Sequence, residues 1–512
     1  MSVLVVILDA PVDLPAAIAS ARPVADQILV LDAVGGLPLD FDDVEILSHD
    51  FVDLSTAWNA ARERAEGDWI LMLDADQQLH ADAAEIIRAA IAADDLDCGM
   101  LPERSSPTHQ AQWRPRLLRN TEDLRWESAV HDVPQAWMDA DGRRVRDIAA
   151  EIIRAPRAGE IIPRRHTGAA YSALLRQRVA ESPDDLDAWV ALGHEQVVTG
   201  ALDEAQVSLE AAWALLEHHP QRQHRALPVT LKAWALLQRN KQIPAIETLS
   251  AAAGWGMMHP NITLLQGIAL ENLAARAPEA QQAQLYQQAL TALKLGPTMK
   301  GQRFTSPVID GATGWLADVR LGATLQALGR PREARPAFER ALQVHDTLLE
   351  ARLGLAETLI DTDPDRALEL VDPIVTSAGV DGWLLKAAAH EARDEDPEMA
   401  RALFAGLQKI KEGFQARHRR ALMDELVGLL GILQGAPRSG RGAMGALGGL
   451  MTGYPPPSTA SYPAPIGSAN ARRLAKVIGY LEAQGEGTLL QALRAPPVER
   501  LFPGISQLLA EA

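Results

Sequence analysis

Gly67-Asp68-Trp69-Ile70-Leu71-Met72-Leu73-Asp74-Ala75-Asp76 is an apolar run that ends in two aspartates one residue apart. The run is too short to cross a bilayer and reads as a buried strand. At the carboxyl end of such a strand the backbone turns outward, so Asp74 and Asp76 can both aim into the crevice where open α/β sheets bind ligands. Paired carboxylates there suit a divalent cation that carries a diphosphate. The alternative is that the two aspartates open a loop and cap a helix expected over residues 81–93.

The surrounding 150 residues have the same grain. Short β-rich apolar runs at residues 3–8, 27–31, 44–47 and 69–73 alternate with helical patterns at 14–21, 54–65 and 81–93. That alternation predicts βαβ units and a mainly parallel sheet. Beyond a connector at 151–170 the strand signals vanish, and alanine-rich amphipathic helices follow one another over residues 171–432. Gly, Pro, Ser and Ala dominate 433–470, with Pro455-Pro456-Pro457 among them, which predicts a flexible linker. A short helical tail is expected over 471–512.

Composition bounds the functions. A chain of 512 residues exceeds one hydrophobic core and predicts several domains. Its 49 Lys plus Arg against 67 Asp plus Glu give a net charge of −18, which repels nucleic acid and anionic lipid, and no sizeable basic patch offsets it. One cysteine, Cys98, excludes an intramolecular disulfide and a Cys-rich zinc site, and is expected to be a buried thiol. The apolar start lacks a basic flank and runs into Asp9 and Pro11, so it reads as a first strand, not a signal peptide. With no transmembrane segment, a soluble, cytoplasmic protein is expected.

The helical region carries a repeat. Trp189-Val190-Ala191-Leu192-Gly193 fits the W-x2-L-G opening of a tetratricopeptide repeat (TPR), and Ala205, Leu209 and Ala212 fall where that repeat needs small, large and small residues. Small residues let two antiparallel helices approach, and the large one fills the groove to the next repeat. A second unit has Leu321, Gly322, Ala334, Phe338 and Ala341, and Leu355 with Ala356 opens another 34 residues on. Weaker units centre on Ala245 with Leu249, on Gly267 with Tyr286 and Ala289, and on Trp383 with Ala400. Such a solenoid presents a concave face to peptides or protein segments, or packs only against the first domain. His218-His219 and Arg417-His418-Arg419-Arg420 read as solvated faces of these helices.

Residues 1 to about 135 resemble the family 2 glycosyltransferases of GT-A fold, and more narrowly a bacterial subgroup in which that domain precedes TPRs. The resemblance rests on residues 25–32 ending in Asp32, on Trp58-Asn59-Ala60-Ala61-Arg62 followed by Gly67-Asp68 and the Asp-x-Asp strand, and on Arg116-Leu117-Leu118-Arg119-Asn120 with Trp126 and Val130-His131-Asp132. It implies an α/β, Rossmann-like domain followed by an all-α TPR solenoid. It also implies roles. Asp76 would coordinate Mn²⁺ or Mg²⁺ on the diphosphate of a nucleoside diphosphate sugar, Asp74 would support it through the ribose or a water, and Asp32 would bond the base or ribose. His131 would be a metal or phosphate ligand, and Asp132, where the family usually has Glu, the general base that takes the acceptor proton. Arg116 and Arg119 would neutralise the leaving diphosphate, or else pair with Glu122 or Asp123.

Three elements depart from the subgroup. Leu8-Asp9-Ala10-Pro11 stands where an Asn-Glu pair is usual, residues 33–37 lack the Ser-x-Asp turn, and Gln77-Gln78 replaces an acidic pair. The expected function is a metal-dependent, inverting, hexosyl-type transfer to a protein, peptide or glycan held by the repeats. The alternative is a non-catalytic TPR scaffold with a degenerate transferase domain.

Overall fold

The structure, a computed structural model, describes residues 1–7, 14–32, 41, 43–48, 54–104, 111–127, 133–154, 169–304, 306–393, 398 and 402. It divides into two compact units, one of residues 1–266 with 295–313, the other of residues 267–294 with those from 314 onward.

The first unit opens with β1 (Ser2–Ile7), α1 (Leu14–Ala21), β2 (Gln27–Asp32), β3 (Glu45–Ser48), α2 (Leu54–Arg64) and β4 (Trp69–Asp74). These elements lie within two residues of the sequence expectation. β1 pairs in parallel with β2 and β4, and β2 with β3. All six residues of β4 are buried because both faces of the sheet are covered, which is why its sequence is continuously apolar instead of alternating. Leu71 and Leu73 face α1 and α3 (Ala83–Ala93), while Ile70 and Met72 face Trp58 of α2.

Of the other half of the sheet, the resemblance implies only the Arg-rich strand at Arg116 to Asn120, which is the end of the strand Gln112–Arg119. β5 (Gln77–Leu79), β6 (Cys98–Arg104), β7 (Gln112–Arg119), β8 (Val145–Asp147) and β9 (Ile152–Arg154) flank the four-residue helix α4 (Gln135–Met138) and complete the order β3-β2-β1-β4-β7-β6-β9-β5, with β8 on β6. β7 runs antiparallel to both β4 and β6. The sheet is therefore mixed, and it extends to Arg154, past the expected boundary at 150.

Helices follow from α5 (Ala169–Glu181). In the first unit α6 (Leu186–Val198) pairs with α7 (Leu202–Glu217), and α8 (Ala226–Gln238) with α9 (Gln242–Gly254). Asp185 caps α6, its side chain accepting from the Ala188 amide at 3.0 Å. Gly193 lies against Leu209, where a Cβ would come within 2.6 Å, so the W-x2-L-G glycine is required by close helix approach. The first repeat shares a core with the sheet, since Leu175, Val179, Ala188 and Leu192 cluster with Trp58, Trp126 and Trp137.

α10 (Pro260–Ala274) and α11 (Glu279–Thr298) come next in the chain. In the second unit α12 (Trp315–Ala327) pairs with α13 (Pro331–Val344) and α14 (Leu349–Leu359) with α15 (Pro364–Val371), before α16 (Gly379–Ala392). Phe338 is fully buried between Gly322 and Gly354, as the small-large-small pattern requires. A feature absent from the motif reading marks the turns inside three of these four pairs: Gly200, Asn240 and Gly329 have positive φ, at 78°, 61° and 71°. The expected linker at 433–470, the tail at 471–512, Ala400 and Arg417 to Arg420 lie outside the described residues.

Candidate active site

Asp74 ends β4 and is buried. Its backbone amide donates to Gln77 Oε1 at 3.0 Å, and its carboxylate accepts from Arg116 Nη2 at 3.1 Å. Asp76, in the turn that leads into β5, accepts from Arg154 Nε at 2.9 Å. β5 brings that partner close because Gln77 stands opposite Arg154 of β9. Arg116 is fully buried and also donates through Nε to Glu103 of β6.

Arg116 owes its position to a bulge. Gly99 faces Leu117 and Met100 faces Pro115, which leaves Arg116 as the extra residue on β7. A bulge of this kind re-aims a side chain, here toward the carboxyl end of β4. Burial works against the Arg116 charge, but Asp74 and Glu103 outweigh it and hold its pKa above the ordinary arginine value. Arg114, two residues earlier, differs. It makes no hydrogen bond or ion pair among the described residues, and its Nε is buried without a partner. Desolvation lowers its pKa, offset in part by Glu103, while Asp74, Arg116 and Arg154 also act on it.

The other expected site residues fall elsewhere. Asp32 ends β2 and is buried, and alternation puts it on the Ile28 and Val30 face of the sheet, whereas Asp74 shares the Ile70 and Met72 face. The two residues flank β1 at its carboxyl end, their backbones about 10 Å apart across two strand spacings and their side chains on opposite faces. Arg119 is not brought to the cluster. Because β7 runs antiparallel, Arg119 stands opposite Trp69, the first residue of β4, roughly 17 Å along the strand from Asp74. There it stacks over the Trp69 ring at 4.5 Å and pairs with Asp94 and Asp97, not with Glu122 or Asp123. His131 and Asp132 lie outside the described residues.

The approach to them is described. Asn59 donates to the Trp126 carbonyl at 2.9 Å and accepts from its amide at 3.0 Å, and Arg62 donates to the Thr121 carbonyl at 2.6 Å. Trp58 stacks on Trp126 with ring centroids 5.9 Å apart. The Trp58-Asn59-Ala60-Ala61-Arg62 motif is thus a bracket for the segment that leads toward His131. Gly67 is required by space, since a Cβ would lie 2.5 Å from the Ser2 nitrogen.

Residues 35–141 match the family model of glycosyl transferase family 2. The chain carries a family 2 glycosyltransferase domain. The match begins after β2 and ends before β8, so the sheet of this transferase domain extends beyond it on both sides. A TPR repeat-containing protein of Synechococcus elongatus is 28% identical over 140 residues, a match that takes in 26% of this chain and 35% of that protein. The chain thus spans about a third of that relative's length. A tetratricopeptide repeat protein from Parabacteroides merdae aligns over 51% of this chain and 91% of its own, at 14% identity and a TM-score of 0.35. A TPR protein of Thermus thermophilus aligns over 44% and 99%, at 19% identity and a TM-score of 0.29. The helix pairs themselves, with Gly193, Gly322 and Phe338 at their contacts, carry the repeat assignment.

Family 2 transferases generally use a divalent metal and a nucleotide sugar. Among the described residues no three His, Cys, Asp or Glu side chains gather as a metal site, and Asp74 and Asp76 each accept from a buried arginine. The described residues do not fit a cation at Asp76. In the sequence, Gln77 stands out only as a departure from the subgroup, and Glu103, Arg114 and Arg154 are not singled out. The available signals were the Arg114-Pro115-Arg116 spacing and the charges that end the short apolar stretches at 98–104 and 152–154.

Proposed function

We propose that the chain transfers a sugar from a nucleoside diphosphate sugar to an acceptor hydroxyl, with the donor seated at the carboxyl ends of β2 and β4. The observation that carries this reading is the cluster of buried Asp74, Arg116 and Arg154 with the partly buried Asp76 at the end of β4, inside a domain of this family. Asp32 would accept hydrogen bonds from the base or ribose, and Asp74 and Asp76 from donor hydroxyls. The acceptor oxygen attacks the anomeric carbon as the bond to the diphosphate breaks, the electron pair leaves with the diphosphate, and the Asp132 carboxylate takes the acceptor proton. One displacement inverts the anomeric centre. Arg116 stabilises the departing charge. His131 would hold a phosphate oxygen. The transferred unit is hexosyl in type, and the TPR face holds the acceptor, a protein, peptide or glycan. Among the described residues no helix is long and apolar enough to cross a membrane.

The division into a transferase domain ending after Arg154, a repeat array and a carboxyl-terminal tail belongs to the same reading. A second reading, a repeat scaffold whose transferase domain no longer catalyses, is favoured by the arginines that already engage both carboxylates. Calorimetric titration of a sugar-nucleotide panel into the full chain separates the two, with release of the free nucleoside diphosphate as the turnover readout. The transferase reading expects saturable binding of at least one donor, and Asp132→Asn that keeps binding but loses turnover. No binding across the panel leaves the scaffold.

A further inference from the structure

The Asp-x-Asp turn is surrounded by donors. Asp74 and Asp76 bear the charge that a divalent cation would need, yet Arg116 and Arg154, both nearly or fully buried, already neutralise it. A cation placed between the carboxylates would displace two guanidiniums into a site with little water to solvate them. Two further donors lack acceptors. Arg114 has no ion pair among the described residues, with its Nε buried, and desolvation makes its charge costly as it stands. Gln77 is fully buried, its Oε1 takes the Asp74 amide, and its Nε2 has no partner among the described residues. Buried donors left without acceptors carry a free-energy cost that an anion would remove.

Resting on the transferase reading, we propose that this site takes the diphosphate of its donor without a divalent cation, on the Arg114 guanidinium and the Gln77 amide, beside the carboxylate-paired Arg116 and Arg154. Guanidinium suits this role because its planar fork matches phosphate oxygens and keeps its charge at every physiological pH. Asp74, Asp76 and Glu103 then serve as anchors for the guanidiniums. The contact class is a nucleoside diphosphate, with inorganic pyrophosphate as its base-free fragment.

The test is calorimetric titration of uridine, guanosine, cytidine and thymidine diphosphates, and of pyrophosphate, into the full chain. Each is run once in EDTA and once in millimolar Mn²⁺ or Mg²⁺. The expected result is binding in EDTA whose affinity changes by less than about 2-fold on adding metal and weakens with salt. Arg114→Met is expected to weaken binding by about 10-fold or more, equivalent to about 1.4 kcal/mol, and Arg114→Lys by less. Where Arg114→Met fails to fold, Gln77→Glu decides: it weakens binding in EDTA and introduces a requirement for Mn²⁺. Binding seen only with metal, or unaffected by both substitutions, overturns the cation-free site and leaves the transferase reading intact. No binding of any nucleotide under either condition overturns both.

Discussion

Arg116→Met is the sharpest probe of the electrostatic frame. The wild-type guanidinium is fully buried and serves two carboxylates, Asp74 and Glu103, whose side chains are about a tenth exposed. Removing one partner of a buried ion pair costs roughly 3–5 kcal/mol, because the remaining charge stays desolvated. Here two carboxylates lose their partner, but Arg114 is close enough to act on Glu103 and Asp74, so the lower end of that range, about 3 kcal/mol, is expected. For a unit of this size that corresponds to a melting-temperature loss of about 5 °C. The loss has a pH signature. In the variant, burial without a cation favours the protonated carboxyls over their unfolded-state values near about 4, so the folded form binds more protons than the unfolded chain. The deficit is therefore largest at neutral pH and shrinks as pH falls toward about 4. Urea denaturation at pH values between these limits measures it, and adding Asp74→Asn with Glu103→Gln to Arg116→Met should restore most of the loss. A deficit under about 1 kcal/mol at neutral pH, or one that grows on acidification, would refute the reasoning.

Three further outcomes follow from other parts of the molecule. Gly322→Val should cost about 1–3 kcal/mol in chemical denaturation, because its Cβ would lie 2.6 Å from the Phe338 ring, and Phe338→Leu in the same chain should cost less than the two substitutions summed. Burial pushes the Cys98 thiol up to about 12, so iodoacetamide should leave it unmodified in the folded protein at mildly alkaline pH and alkylate it in guanidinium; rapid labelling of the folded form would contradict its placement. Burial pushes the His259 imidazole down to about 4, partly offset by a hydrogen bond with the Ser306 carbonyl. The unfolded chain then binds more protons between the two pKa values, so stability present above pH of about 6.5 falls as pH drops toward 4. His259→Leu should flatten that slope by about 2 kcal/mol between neutral pH and pH of about 5, and an unchanged slope would place the titration elsewhere.

The parallel half of the sheet was readable because each of its signals is local. β1, β2 and β4 are apolar runs of the right length, and the helices between them carry their periodicity within one window. The same locality made the repeat units visible, since Gly193 with Leu209 and Gly322 with Phe338 lie within one helix pair. β5, β8 and β9 were not readable, because each described strand has three residues and gains its identity from pairing with distant segments, as Gln77 does with Arg154.

The sequence by itself determined the order of elements from β1 to β4 with α3, the transferase resemblance and the position of Asp74 and Asp76 at a strand's carboxyl end, because periodicity, chain length and motif spacing are properties of neighbouring residues. Only the tertiary structure decided what faces those aspartates. Arg116 and Arg119 are three residues apart, yet a bulge and an antiparallel register bring one to Asp74 and leave the other at the far end of the sheet against Trp69. Arg154 reaches Asp76 across 78 residues of chain. Charge balance at the end of β4 is set by which strands pair and in what register, and those pairings depend on long-range burial that no single window of sequence contains.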